Sequence, residues 1–493
     1  MDRRSFVKTG AAATVAAGTK IKAQRKTKRK KPNILFVFGD QHRSQSLPGE
    51  PFDQTIAPNF EKFHRANFSM DTCVSNYPLC TPWRGIFVSG RWPQQTGLIY
   101  NNVPLKPEDG TLGHTFADNG YYTGYIGKWH LAGHGEDPGF IPKGPRRMGF
   151  EYWQAWDRTN EHYHAPTYDQ NTGQKIVPEG WQPTNMTDEA VSFLKQQTKE
   201  RPWFLALSWN PPHPPYNPPA EDQASYAGKL KFRPNVRLRP GLKVPNEQRF
   251  LQSEEMLHQA MAGSYGGITG IDKEFGRLLQ TLDEVGQAED TIVIYSSDHG
   301  DMMGSQGRLA KQVPFEESCR VPFLIRYPGV TPAGGRNEVL FQAVDIYPTL
   351  CGLAGITVPA TCVGRDLSGV MRGGKTPDIE YAFLMNQVDG GPDAPEHGPA
   401  GGNGHGGTLR FINQPSYRGV RTRTHTYAVT ETGRWLLYDN VADPYQMKNL
   451  VSDPVQKPLM EKLDAEILRW LKSLSDPFPY AENTKRISDF PSS

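Results

Sequence analysis

Apolar residues in this chain come in short, almost unbroken blocks, and each block stops abruptly at polar residues. Residues 32–40, PNILFVFGD, have the continuous hydrophobicity of a strand buried on both faces, and they run into Asp40-Gln41-His42. Residues 121–127, 203–209 and 291–297 repeat the plan. They run into Lys128-Trp129-His130, Asn210-Pro211-Pro212-His213 and Asp298-His299-Gly300-Asp301. Between the blocks the apolar period lengthens to that of helices. It does so around 57–66, over 111–119 with Gly120 as the stop, and over 254–285, where glycines at 263, 266, 267 and 270 interrupt the pattern. Buried strands alternating with helices predict an α/β fold, a large mostly parallel or mixed sheet between helices.

Beyond about Gly364 the buried blocks stop. Residues 389–408 are too glycine-rich to hold one structure unaided and read as a mobile loop. Residues 418–437 alternate around a turn at Glu431-Thr432-Gly433, and 459–474 form an amphipathic pattern suited to packing. The expected organisation is a leader and basic spacer over 1–31, a main domain over 32–365, and a C-terminal subdomain over 366–493 with a small antiparallel sheet and a helix.

Composition changes this picture in two places. The 42 prolines and 49 glycines point to many loops rather than disorder, since aromatics make up 11% of the chain. The net charge of +3 is misleading, because residues 1–31 hold eleven of the 55 basic residues and one of the 52 acidic ones. Beyond them, 44 basic residues face 51 acidic ones, a balance of −7 that argues against a nucleic-acid partner. No apolar run reaches membrane-spanning length, so no stable membrane span is expected. Met1-Asp2-Arg3-Arg4-Ser5-Phe6-Val7-Lys8 and the small residues after it resemble a twin-arginine export leader, with cleavage near Ala23. A periplasmic or secreted location follows as an expectation. The five cysteines, at 73, 80, 319, 351 and 362, are too scattered to read as a disulfide framework.

The candidate chemistry centres on residues 79–90, LCTPWRGIFVSG, a loop turning into a short helix with Pro82 in the first turn and Gly90 as the stop. Cys80 then stands at a helix N-terminus, where free N–H groups and the dipole favour an anion. Arg84, one turn on, adds a fork of donors suited to a tetrahedral oxyanion. A structural cysteine beside a proline turn has the same local signature. Asp40 and Asp298, just past buried strands, suit turns as well as a cation site at the carboxyl edge of a sheet. Lys128 and His130 suit a solvated loop. The prolines around His213 hold its loop extended. Residues 150–169, rich in aromatics and histidine, lack either period and read as a loop, packed on the surface or stacking on a sugar ring.

In order along the chain, Cys80-Thr81-Pro82-Trp83-Arg84 with Gly90 and Gly97, GKWHLAG at 127–133, His213, the run from Ile292 to Pro322 and the segment 437–450 resemble recurrent segments of type I, formylglycine-dependent sulfatases of the alkaline phosphatase superfamily. The resemblance spans nearly the whole chain beyond the leader and is weakest over 150–200 and 365–415. It implies an alkaline-phosphatase-like fold and hydrolysis of a sulfate monoester. Cys80 would be oxidised to formylglycine, whose hydrate is the nucleophile. Arg84, Lys128 and Lys311 would hold sulfate oxygens, His130 would take the proton that releases sulfate, and His213 would serve the departing alcohol. Asp40, Gln41, Asp298, His299 and the Cys80-derived oxygen would bind a divalent metal, with Ca2+ the expected ion and Mg2+ or Mn2+ the alternatives. Implied partners are a sulfated small molecule or glycan, a formylglycine-forming maturation enzyme and the twin-arginine export machinery.

Two departures stand out. The common pattern has paired Asp residues first and Asp-Asn later, whereas this chain has Asp40-Gln41 and Asp298-His299. That pair also resembles relatives acting on choline sulfate or phosphonate monoesters. An imidazole ligand also suits transition metals. A phosphonate monoester or phosphodiester hydrolase is therefore the alternative, followed by a non-catalytic glycan-binding protein.

Overall fold

Side chains alternate across a strand, so a strand between two apolar layers must be apolar at every position. The Asn33–Asp40 strand (β1) does this at the centre of the computed structural model, which describes residues 31–133, 139–241, 246–387 and 415–480. Residues 1–30 of the expected leader and the glycine-rich 389–408 stretch lie outside the described residues. Ile34, Phe36 and Phe38 face one apolar cluster, while Leu35 and Val37 face a second. All five are fully buried, each stabilising the fold by roughly 1.5–3 kcal/mol.

The other strands of the main sheet are Phe68–Met70 (β2), Tyr122–Lys128 (β3), Tyr152–Trp156 (β4), Trp203–Pro212 (β5), Thr291–Ser297 (β6), Phe323–Arg326 (β7) and Arg336–Asn337 (β8). Their order is β8-β2-β7-β6-β1-β5-β3-β4. The five from β6 to β4 run parallel, and β7 is antiparallel to both of its neighbours. The sheet is thus mixed, with a parallel centre. β4 corrects the loop reading of residues 150–169. Trp153 and Ala155 alternate inward, and the Trp153 ring packs with Tyr125 and Trp129 at 5.6 and 5.1 Å.

On one face lies the Cys80–Ser89 helix (α1), whose Phe87 and Trp83 rings sit 4.8 Å from Phe36 and 5.3 Å from Phe38. On the other lies the Glu254–Glu284 helix (α2), which starts where the Ser253 side chain accepts from the Met256 N–H at 3.2 Å. Its glycines do not interrupt it. A Cβ on Gly263 would stand 2.3 Å from the Tyr216 carbonyl, and one on Gly270 2.3 Å from the Trp181 ring, so they are close-packing points.

Beyond the main sheet, Ala382–Asn386 (β9), Tyr417–Arg421 (β10), His425–Thr430 (β11) and Gly433–Asp439 (β12) form an antiparallel sheet in sequence order. The Lys457–Leu474 helix (α3) packs against it, with Trp470 stacked on Phe383 at 4.5 Å. Leu384, Val420, Ala428 and Leu437 belong to the same apolar cluster as Phe36. Among the described residues, no helix is long and apolar enough to cross a membrane.

Candidate active site

The parallel strands end level with one another. Gly39 pairs with Ser297 and Asp40 with Pro212, so Asp40, Asp298 and His213 leave neighbouring strands along one edge, with Lys128 at the end of β3 beyond them. In a parallel sheet this carboxyl edge is where the chain can converge polar groups without breaking the apolar layers. The sheet brings the strand ends together, and α1 delivers Cys80 to them.

Cys80 is the first residue of α1, and Asn101 Oδ1 caps the helix by accepting from the Thr81 N–H at 3.1 Å. Cys80 Sγ lies 3.3 Å from His299 Nε2, 3.7 Å from Asp40 Oδ1 and 4.0 Å from Lys128 Nζ. Burial and Asp40 act to raise the thiol pKa, but Lys128, Lys311 and His299 outweigh them and bring it below its usual range.

Arg84 has a different first task from the one the sequence suggests. Its Nη2 donates to Asp40 Oδ2 and Asp298 Oδ2, both at 3.2 Å. Nη1 donates to the Lys128 carbonyl at 2.5 Å and to Ser208 Oγ at 2.8 Å. The guanidinium therefore clamps the floor of the site, and its Nε is the donor left without a protein partner. Lys128 Nζ donates to Asp40 Oδ2 at 2.8 Å and Asn160 Oδ1 at 3.1 Å. Burial would raise the Asp40 pKa, yet Lys128, His213, Arg84 and His299 together hold it well below the usual carboxylate range.

With one oxygen of each carboxylate on Arg84, the other faces the histidine, Asp298 Oδ1 also accepting the backbone N–H groups of Gln41 at 3.0 Å and His299 at 2.9 Å. His299 Nε2 stands 3.6 Å from Asp40 Oδ1 and 3.5 Å from Asp298 Oδ1. Its Nδ1 donates to the Gly300 carbonyl at 3.1 Å, which leaves Nε2 facing the cluster. Burial disfavours a proton on His299, but Asp298 wins and raises its pKa, so positive charge is wanted there. Ligand atoms of Asp40, Cys80, Asp298 and His299 all lie within 4.8 Å of one another. Two carboxylates, an imidazole and the Cys80 position fit a divalent cation.

Gln41, the other ligand the resemblance implies, stands beside that group with its amide on two partners. Its Oε1 accepts from Lys311 Nζ at 2.6 Å, and its Nε2 donates to Asp301 Oδ2 at 2.7 Å. Gln41 and Lys311 together form one wall of the pocket.

The two remaining histidines are neutral. His130 Nε2 bonds Asn102 Oδ1 at 2.9 Å, and since Arg158 also donates to that oxygen, at 3.3 Å, the histidine must be a donor there. Its buried Nδ1 is therefore a lone-pair acceptor without a protein partner. Burial, Lys128, Arg84 and Arg158 hold its pKa well below the usual value. His213 Nδ1 donates to the Pro214 carbonyl at 2.7 Å, leaving Nε2 as an acceptor. Burial and Lys311 keep its pKa low as well.

Asn102, Arg158 and Asn160 escape sequence reasoning. Asn160 and Arg158 sit in the aromatic 150–169 stretch, and only its histidine content hinted at chemistry. His162, in the same stretch, is buried beside Asp40 with Nε2 unpartnered; burial pushes its pKa down to about 3.

Comparison with known proteins agrees with this geometry. Residues 32–356 match the sulfatase family model. The ulvan-active sulfatase of Formosa agariphila is 34% identical over 459 residues, covering 91% of this chain and 82% of that protein. The endo-4-O-sulfatase of Bacteroides thetaiotaomicron is 30% identical over 523 residues, covering 96% of this chain and 98% of that one. A Bacteroides thetaiotaomicron structure, solved in work on the metabolism of multiple glycosaminoglycans, has a TM-score of 0.77 at 28% identity, covering 91% of this chain and 97% of its own.

Proposed function

This chain belongs to the sulfatase family of the alkaline phosphatase superfamily and is a sulfuric ester hydrolase, and from that premise we propose that it is an exported, formylglycine-dependent carbohydrate sulfatase. The observation that carries the reading is the convergence of Asp40, Lys128 and Asp298 on Cys80 at the start of α1. Relatives active on ulvan and tied to glycosaminoglycan metabolism support a sulfated glycan as substrate. The Arg3-Arg4 leader motif supports export.

Formylglycine at position 80 would supply a hydrated aldehyde as nucleophile, and a cation held by Asp40, Asp298 and His299 would supply Lewis acidity and a template. The protein's own residues do the rest. A sulfate monoester is an anion, so neutralising its charge is the main demand. Lys128 and Lys311 hold sulfate oxygens through charge-assisted bonds. Arg84 keeps Asp40 and Asp298 in place. His130 offers Nδ1 to take a proton, as its neutral state requires. His213 starts as an acceptor; a sulfate bound beside it favours its protonated form and turns it into a donor toward the departing alcohol. Cys80 is 2% exposed, so a maturation enzyme must reach it before the chain closes.

The test is turnover of sulfated oligosaccharides, an aryl sulfate and an aryl phosphonate by the matured, metal-loaded protein. Sulfate release from a glycan should exceed phosphonate hydrolysis in kcat/KM. A clear preference for the phosphonate would overturn the reading.

A further inference from the structure

One buried carboxylate at this edge has no part in the chemistry above. Asp301 is 3% exposed and accepts four hydrogen bonds. Its Oδ1 takes the backbone N–H groups of Met303 at 2.9 Å and Ala310 at 3.0 Å. Its Oδ2 takes the Tyr216 hydroxyl at 3.0 Å and Gln41 Nε2 at 2.7 Å. The far end of the same Gln41 amide accepts from Lys311 Nζ at 2.6 Å. Lys311 follows Ala310 directly, and Ala310 has a left-handed φ of 58°.

The two ends of a glutamine amide have nearly the same shape but opposite hydrogen-bonding character. What each end faces decides which way it sits. An ionised carboxylate only accepts, so opposite Asp301 the amide must present its NH2. The carbonyl is thereby turned to Lys311, an ammonium that only donates. Asp301 also binds the backbone N–H of the residue before Lys311, in a conformation that L-residues adopt reluctantly. One side chain thus sets both the polarity of the wall that Lys311 leans on and the backbone from which Lys311 springs.

We propose that Asp301 is a positioning residue for Lys311, acting through the Gln41 amide to aim the ammonium at the substrate anion. This rests on the reading of Lys311 as a sulfate-binding group. It also explains why a glutamine suits position 41: a carboxylate there would face Asp301 with like charge.

Polarity, rather than bulk, provides the test. Asp301→Asn keeps the shape. Its remaining oxygen is needed by the Met303 and Ala310 N–H groups, so its NH2 faces Gln41, whose amide turns over and presents its own NH2 to Lys311. In metal-loaded protein, kcat/KM on a sulfated sugar should fall about ten- to a hundredfold, the worth of one hydrogen bond to a charged group. Gln41→Glu alone sets two carboxylates face to face and should fall similarly. The double variant Gln41→Glu with Asp301→Asn restores donor to acceptor at both contacts and should recover to within about threefold of wild type. Rescue is read in kcat/KM per folded molecule, which a pairing that served stability alone would leave unmoved in all three variants. A double variant no better than the worse single one, with Lys311→Ala impaired, overturns the relay. A Lys311→Ala protein as active as wild type undoes the reading of Lys311 and the relay with it. Should Asp301→Asn fail to fold, Gln41→Glu decides alone, and unchanged kcat/KM there refutes the proposal.

Discussion

Buried arginines meet carboxylates both at the catalytic edge and in the C-terminal sheet, with opposite consequences. In the C-terminal sheet Arg418 lies along Asp476, Nε to Oδ2 at 2.7 Å and Nη2 to Oδ1 at 3.0 Å. Arg421 lies along Glu316 with both contacts at 3.1 Å. In each, both carboxylate oxygens rest on one guanidinium, Glu316 Oε2 facing Arg320 Nε as well at 3.5 Å, and the contacts tether the sheet to its surroundings. At the catalytic edge Arg84 spreads over two carboxylates, taking one oxygen from each. The other oxygens face His299, Asp40 Oδ1 lying also near Cys80 and Asp298 Oδ1 accepting the backbone N–H groups of Gln41 and His299. A bidentate pair is closed, holding both oxygens on the arginine, whereas the shared guanidinium is open, leaving one oxygen of each carboxylate off it and facing the cluster. The leftover oxygen distinguishes the site from the tether.

That contrast can be broken experimentally, and the largest effect lies on the open side. Asp298→Asn should lower kcat/KM by about a thousandfold or more and strip the bound metal, because it removes a charged ligand and loosens Arg84 together. Metal analysis alongside turnover checks this. Substantial activity with normal metal content would contradict the role given to Asp298. On the closed side, Arg418→Leu should cost about 3–5 kcal/mol in a denaturant titration, since it strands a buried carboxylate. Its kcat/KM per folded molecule should match wild type. A variant with intact stability and impaired turnover would erase the distinction.

A smaller effect comes from His42, just behind the open side. Nε2 donates toward the Ser46 carbonyl at 3.4 Å, so Nδ1 accepts from the Tyr295 hydroxyl at 2.6 Å, and the ring is buried and neutral. Burial, followed by the charge of Arg43, pushes its pKa down from 6.5 to about 4. The unfolded chain then binds more protons than the folded one between these values. Stability is fully present above pH 6.5 and falls as the pH drops through about 4, by on the order of 3 kcal/mol. Denaturant titrations from pH 7 to pH 4 should show a shallower slope for His42→Gln than for wild type. Equal slopes would mean that this imidazole is not held neutral.

The open side is the more legible of the two in sequence. A strand buried on both faces leaves a continuous apolar run, and the residue that ends it marks the carboxyl edge, so Asp40, Lys128 and Asp298 announce themselves. Cys80 does so through its proline-led helix start. Residues that orient those groups do not. Asn102 and Asn160 look like any turn asparagine, and only the tertiary fold sets one against His130 and the other against Lys128. The partners of Gln41 are hidden for a related reason. That residue sits beside Asp40 in sequence, but the chain turns there with φ 74° and sets its amide between Lys311 and Asp301. β4 hides because five residues are too few to show a period.

The most direct test of the central claim is the mass of the peptide spanning Cys80, measured in protein matured with a formylglycine-forming enzyme and matched to its turnover of a sulfated glycan. The account predicts that activity tracks the fraction of peptide carrying the aldehyde or its hydrate, and that Cys80→Ala has none. Full activity in a preparation whose Cys80 is entirely unmodified thiol would contradict it.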